Sequence, residues 1–147
     1  MKLLTLNKLF LSILFISFSG ILFAEPQLSM LWETKGEFKL PESVIYDKEN
    51  DFLYVSNMQG DPFTKDKNGF ISKVDLDGNI IKLKWIEGLN APKGLTISKG
   101  KLYVADVNEL VEIDIKTGKI TKKLEAAGAT FLNDVTVDTN GNIYVSD

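Results

Sequence analysis

The sequence predicts an all-β chain of the β-propeller type, on three observations. First, one phrase recurs. It reads Leu40-Pro-Glu-Ser-Val-Ile-Tyr-Asp with Phe52-Leu-Tyr-Val-Ser, then Ala91-Pro-Lys-Gly-Leu-Thr-Ile-Ser with Lys101-Leu-Tyr-Val-Ala, then Leu132-Asn-Asp-Val-Thr-Val-Asp with Asn142-Ile-Tyr-Val-Ser. Second, the Tyr-Val pairs begin at Tyr54, Tyr103 and Tyr144, at gaps of 49 and 41 residues. A period of roughly 40–50 residues made of short strands is the mark of propeller blades. Third, the strand-like runs follow one another through tight turns, which makes an antiparallel meander rather than a parallel sheet with crossover helices.

Residues 1–24 read as a secretory signal peptide. Lys2 and Lys8 give a basic start, Leu9 to Phe23 is apolar apart from serines and Gly20, and Ala24 is a small residue at which cleavage can occur. The apolar run is short for a membrane span, and an uncleaved N-terminal anchor is the alternative. No cysteine follows it, which excludes a lipoprotein anchor. The chain is therefore expected in the periplasm or outside the cell, with no membrane contact after cleavage. Residues 25–147 are the expected propeller domain.

The first blade takes Val44 to Tyr46 and Phe52 to Val55 around an Asn50-Asp51 turn. Phe70 to Asp75 and Ile80 to Trp85 follow around Asp77-Gly78, a pair that tolerates positive φ. The second blade repeats this with Gly94 to Ile97, Leu102 to Ala105, Leu110 to Ile115 and Lys119 to Leu124. Its turns fall at Lys99-Gly100 and Thr117-Gly118. The third supplies Val135 to Val137 and Ile143 to Val145 around Asn140-Gly141. About two and a half blades are thus expected, with Met30-Leu31-Trp32 as a ring-closing strand. Neighbouring blades should bury one another's faces through Tyr54, Tyr103, Tyr144, Trp85, Leu53 and Leu102. Open blade edges are the expectation for the N-terminal part of a longer protein or a truncated reading frame.

Composition narrows the chemistry. Cleavage after Ala24 leaves 123 residues, with 20 acidic side chains against 15 lysines, a net charge of about −5. That balance argues against nucleic acid as a partner. There is no Cys, His or Arg. Zinc sites of Cys and His, Ser-His-Asp hydrolysis and Cys-His nucleophiles are therefore excluded from this segment. A metal site must use oxygen donors, which suits calcium or magnesium.

Setting Val44, Leu95 and Val135 in register brings Glu42, Lys93 and Asn133 to one slot, two residues before the innermost strand turns apolar. In a propeller that slot is the mouth of the central channel. Each has a plainer reading. Glu42 could be a solvated carboxylate after Pro41, Lys93 a surface lysine in an Ala-Pro-Lys-Gly turn, and Asn133 a turn residue capping the strand. A Lys93–Glu42 pair would lower the carboxyl pKa and compete with a cation. Asp75-x-Asp77-Gly78-Asn79 and Asp66-x-Asn68-Gly69 lack the closing Glu of a calcium loop and read as turns. The Asp61-Pro62 to Asn68 insertion reads as a surface loop, with a lid over the channel as the alternative.

Three stretches carry a family resemblance: Pro41-Glu42-Ser43-Val44-Ile45-Tyr46-Asp47, Ala91-Pro92-Lys93-Gly94-Leu95, and the Leu132-Asn133-Asp134-Val135-Thr136-Val137-Asp138 to Gly141-Asn142-Ile143-Tyr144-Val145-Ser146-Asp147 block. They resemble the SMP-30/gluconolactonase/LRE-like family and the related NHL-type repeats. The resemblance implies a six-bladed propeller and a hydrolase that opens lactones with one divalent cation, often calcium. By the same resemblance Glu42 is a metal ligand, and Asn133 lines the substrate pocket, to which Lys93 is added here. The remaining ligands, an Asn and the Asp that serves as general base, would lie beyond Asp147, so no catalytic residue is assigned within this chain and this segment alone is expected to be inactive. The small-molecule partner implied is a lactone or sugar acid. A non-catalytic NHL-like propeller that binds a ligand or a protein is the other reading.

Overall fold

The computed structural model describes residues 28–147, and the expected signal segment 1–24 lies outside the described residues. Ten strands form three antiparallel sheets. The first takes β1 (Pro41–Asp47), β2 (Phe52–Asn57), β3 (Gly69–Val74) and β4 (Ile80–Leu89), in that order. The second takes β5 (Pro92–Ser98), β6 (Lys101–Asp106), β7 (Glu109–Asp114) and β8 (Lys119–Glu125). The third pairs β9 (Val135–Val137) with β10 (Ile143–Val145). Each sheet is a sequential meander. These are two four-stranded blades followed by a two-stranded third, the architecture expected.

Turn chemistry sets the hairpins. Lys99 and Gly100 join β5 to β6 with φ of 50° and 73°. Positive φ at both central residues matches the right-handed twist of the flanking strands. Asp75 and Asp138 build the same turn in different blades. Each carboxylate accepts the backbone N–H groups two and four residues on and the side-chain amide of the later residue, Asn79 or Asn142. The calcium-loop look of residues 75–79 is thereby an Asx turn whose oxygens are spent on its own backbone.

The core lies between the first two blades. Tyr54, Ile71, Ile86 and Leu89 of one sheet meet Leu95, Leu102, Val104, Val111 and Ile113 of the other in one buried cluster. Burying each such side chain contributes about 1.5–3 kcal/mol. Trp85 stacks on Tyr54 with ring centroids 4.5 Å apart, a geometry that adds to area burial. Gly69 is required where β3 crosses the start of the second blade. A Cβ there would come within 2.6 Å of the Asn90 carbonyl oxygen.

Two expectations are corrected. Tyr144 is 54% exposed rather than packed between blades. Its hydroxyl donates to Asp138 Oδ2 at 3.1 Å, and no further sheet covers its face among the described residues. Met30-Leu31-Trp32 is not a strand. Side chains tether that segment instead: Trp32 Nε1 donates to the Leu76 carbonyl at 2.7 Å and Thr34 Oγ1 to the Gly78 carbonyl at 2.8 Å. The indole packs against Gly78, where a Cβ would come within 2.6 Å of the ring.

Candidate functional site

The inner strands β1, β5 and β9 pack in succession, β1 on β5 and β5 on β9. Their register aligns the three inner strands. Val44 pairs with Val55, Leu95 with Val104 and Val135 with Val145. One residue pair outward the ladder breaks. Glu42 and Ser43 fall in the irregularity between Pro41 and Val44, and Lys93 and Gly94 in the one between Pro92 and Leu95. In the third blade, Asn133 and Asp134 hold the matching position, bonded through Asn133 N to Ser146 O and Ser146 N to Asp134 O, both 3.0 Å. Such bulges re-aim side chains at the rim of a sheet.

The second and third blades approach closely at Gly94. Its N–H donates to the Asn133 carbonyl at 2.9 Å. A Cβ here would stand 2.7 Å from Asp134 Cα and 2.9 Å from the Asn133 oxygen, which are backbone atoms with nowhere to move. In the other blades the equivalent N–H turns back on its own sheet, from Ser43 to Ser56 Oγ and from Asp134 to Ser146 Oγ, each at 3.1 Å. The second blade has Ala105 in place of that serine, which frees the Gly94 N–H to bridge blades.

Lys93 is not the surface lysine that its turn suggested; it is 1% exposed. Its ammonium donates to the Ala91 carbonyl at 3.1 Å and the Pro62 carbonyl at 3.2 Å. It also lies 4.3 Å from the centroid of the Phe131 ring. Phe63 packs on the same ring, with centroids 4.6 Å apart. The Asp61-Pro62 to Asn68 insertion therefore folds over Lys93 rather than standing free.

Glu42 and Asn133 are both exposed at the mouth. Glu42 forms no ion pair with Lys93. Partial burial pushes the Glu42 carboxyl up; Lys93 pulls it down, and Asp134 adds to the rise. The expected lowering by Lys93 is thus outweighed. Burial likewise pushes the Lys93 ammonium down, with Asp106 and Glu42 pulling the other way. Asn133 contributes its backbone to the interblade contact, and its exposed side chain is available at the mouth.

Sequence reasoning missed a second repeat. The residue two after each Tyr-Val pair is Asn57, Asp106 or Asp147, and each clasps the segment that leads into its blade. Asp106 accepts Asn90 N at 2.9 Å and Ala91 N at 2.7 Å. Asp147 Oδ1 accepts Thr130 N at 3.1 Å and Phe131 N at 2.7 Å. Asn57 Oδ1 accepts Lys39 N at 2.9 Å. The signal was present as an acidic or amide residue at one fixed offset in all three phrases. Two of these clasps fix the site directly, since Ala91 and Phe131 both contact Lys93. Burial pushes the Asp106 carboxyl up, against the two N–H donors that pull it down.

A family profile described as "Beta-propeller repeat" matches residues 119–146. No curated protein matches the chain. Among solved structures, the chain is similar to the hydrazine synthase of Kuenenia stuttgartiensis, at 15% identity and a TM-score of 0.57. That match covers 82% of this chain, which spans 32% of the hydrazine synthase chain. A computationally designed protein, Ika4, aligns over 82% of this chain and 98% of its own at 12% identity, with a TM-score of 0.37. The repeat match, the two four-stranded meanders and the hairpin that follows them establish propeller architecture.

The calcium ion implied by the family resemblance can be tested against these residues. Among the described residues no group of three or more acidic side chains is placed to hold a metal. Glu42 has Asp134 as a carboxylate neighbour, but the Lys93 charge acts on the same carboxyl. A hard dication needs several oxygens and no competing ammonium. Residues 28–147 alone do not fit it.

Proposed function

We propose that the chain is a propeller module that binds a small polar molecule, a lactone or a sugar acid, where its inner strands end. One observation carries this reading: Glu42, Lys93 and Asn133 occupy matching positions on the successive inner strands, with Glu42 and Asn133 exposed and Lys93 roofed by the 58–68 loop. A carboxylate and an amide there can bond hydroxyls, and an ammonium can bond a carbonyl or carboxylate oxygen. Polar groups converging at the end of a rigid scaffold are the common pattern of a ligand site. Calorimetric titration of the chain with an aldonolactone panel and the matching aldonates tests it. Binding weakened by Glu42→Gln and Asn133→Ala supports the reading. Absence of binding for every compound overturns it.

Divalent-cation-dependent lactone hydrolysis is the second reading, carried by the family resemblance of residues 41–47 and 132–147 alone, since residues 28–147 do not supply a cation's ligands. Calcium-stimulated acid release from aldonolactones, lost on chelation, is its test. The leader-like segment 1–24 supports placing the module in the periplasm or outside the cell. Fusion of residues 1–24 to an export reporter measures that.

A further inference from the structure

Lys93 is a buried charge with no carboxylate in direct contact, although Asp106 and Glu42 act on it from farther off. It forms no ion pair with any described carboxylate. Lysines are almost never fully buried unless paired, because the lost hydration is costly. Its partners are two neutral carbonyls and a ring face. Bonds from an ammonium to an anionic oxygen run about 2.7–2.9 Å, whereas these two, to neutral carbonyls, are 3.1 and 3.2 Å. The ammonium is held, but not by its best acceptor.

The two carbonyls differ in how firmly they are placed. Ala91 is fixed, since its own N–H is clasped by Asp106. Pro62 rides on the 58–68 loop. That loop bends through Gln59 and Lys67, with φ of 50° and 61°, and through Gly60 at 128°. The Met58 and Gln59 N–H groups are tied to the Leu40 and Lys39 carbonyls at 3.3 and 3.1 Å, so a swing would be absorbed by the loop residues beyond them. The crown of the loop rests on Phe131 through Phe63, which is still 62% exposed.

We infer that Lys93 is the anion-binding group of the mouth, and that a small organic carboxylate displaces the Pro62 carbonyl from it and lifts the 58–68 loop. A full negative charge outbids a carbonyl dipole for an ammonium that is already desolvated. The inference deepens the ligand-binding reading and rests on it. The positive charge that argues against a metal dication here is the one that suits an anion.

The test titrates the full chain with sodium gluconate and with glucitol, the uncharged polyol of the same carbon chain. Gluconate should bind and glucitol should not. Lys93→Met keeps the side-chain volume without the charge, and should weaken gluconate by about tenfold or more, the scale of one lost charge-assisted hydrogen bond. Phe63→Ala changes an exposed residue and frees the loop, so it should tighten gluconate binding by removing part of the cost of opening. Gluconate should also speed trypsin cleavage at the exposed Lys65 and Lys67. Equal binding of gluconate and glucitol, or a Lys93→Met chain that binds gluconate as the parent does, overturns the inference. So does gluconate binding with no change in cleavage. Lactones that bind while gluconate does not would sink this inference alone; silence from all of them sinks the ligand-binding reading as well.

Discussion

The Lys93 ammonium sits 4.3 Å above the centre of the Phe131 ring. That contact ties the inner strand of the second blade to the segment leading into the third. Phe131 has Phe63 on it as well, so one ring holds both the charge and the loop that roofs it. Phe131→Leu should destabilise the chain by about 1–3 kcal/mol, from one lost cation–π contact and one lost aromatic pair. Cleavage by trypsin at Lys65 should rise in parallel. Urea unfolding and timed proteolysis measure the two effects; a variant that leaves both unchanged contradicts the account of the roof.

The Asp106 and Asp147 clasps have the same geometry and opposite exposure. Asp106 is fully buried, and Asp106→Ala strands two buried N–H groups, each worth about 1–3 kcal/mol. Asp147 is exposed, and water can replace its carboxylate. Denaturant titration should therefore show Asp106→Ala as severe and Asp147→Ala as mild. Equal losses would mean that the clasp does not act through buried donors.

Gly94→Ala tests the close approach of blades two and three. The added methyl meets the backbone of Asn133 and Asp134. Overpacking against backbone costs about 1–3 kcal/mol. The β9–β10 amides should lose hydrogen-exchange protection first, because the Gly94 N–H to Asn133 bond, with the Leu132 N–H to Val107 carbonyl bond, anchors that pair to the second blade. Uniform loss across all three sheets would argue against this.

Acid should weaken the third blade. Turn hydrogen bonds from Asn142 and its backbone, with help from Tyr144 and Asn140, lower the Asp138 carboxyl to about 2. A carboxyl lowered in the folded state contributes stability above its unfolded value, near 3.8, and that contribution fades as pH falls toward 2. Asp114 is lowered too, chiefly by Lys101. Stability measured from pH 5 to about pH 2 should fall for the parent and fall less steeply for Asp138→Asn. Matching slopes for the two chains would remove Asp138 from the account.

The blades were legible in the sequence because strand alternation and turn residues are local. The Tyr-Val phrases fell on β2, β6 and β10, and every turn pair on an observed turn. The common slot of Glu42, Lys93 and Asn133 was legible for the same reason, since register follows from pairing Val44, Leu95 and Val135 with the Tyr-Val strands. Burial of Lys93 was not. It depends on where an eleven-residue loop, 58–68, lays Pro62 and Phe63, and on Phe131, whose position is set by a clasp from Asp147. Those are contacts between parts distant in the chain, and no local pattern encodes them. Tyr144 shows the converse: its phrase matched the buried Tyr54, but its burial depends on what packs beside it rather than on the phrase.

Competitive acetylation of the native chain, read lysine by lysine by mass spectrometry, tests the placement of Lys93 most directly. The account predicts that Lys93 resists reagent while Lys65, Lys67 and Lys99 react, and that denaturant abolishes the difference. A native Lys93 acetylated as fast as those three would contradict it.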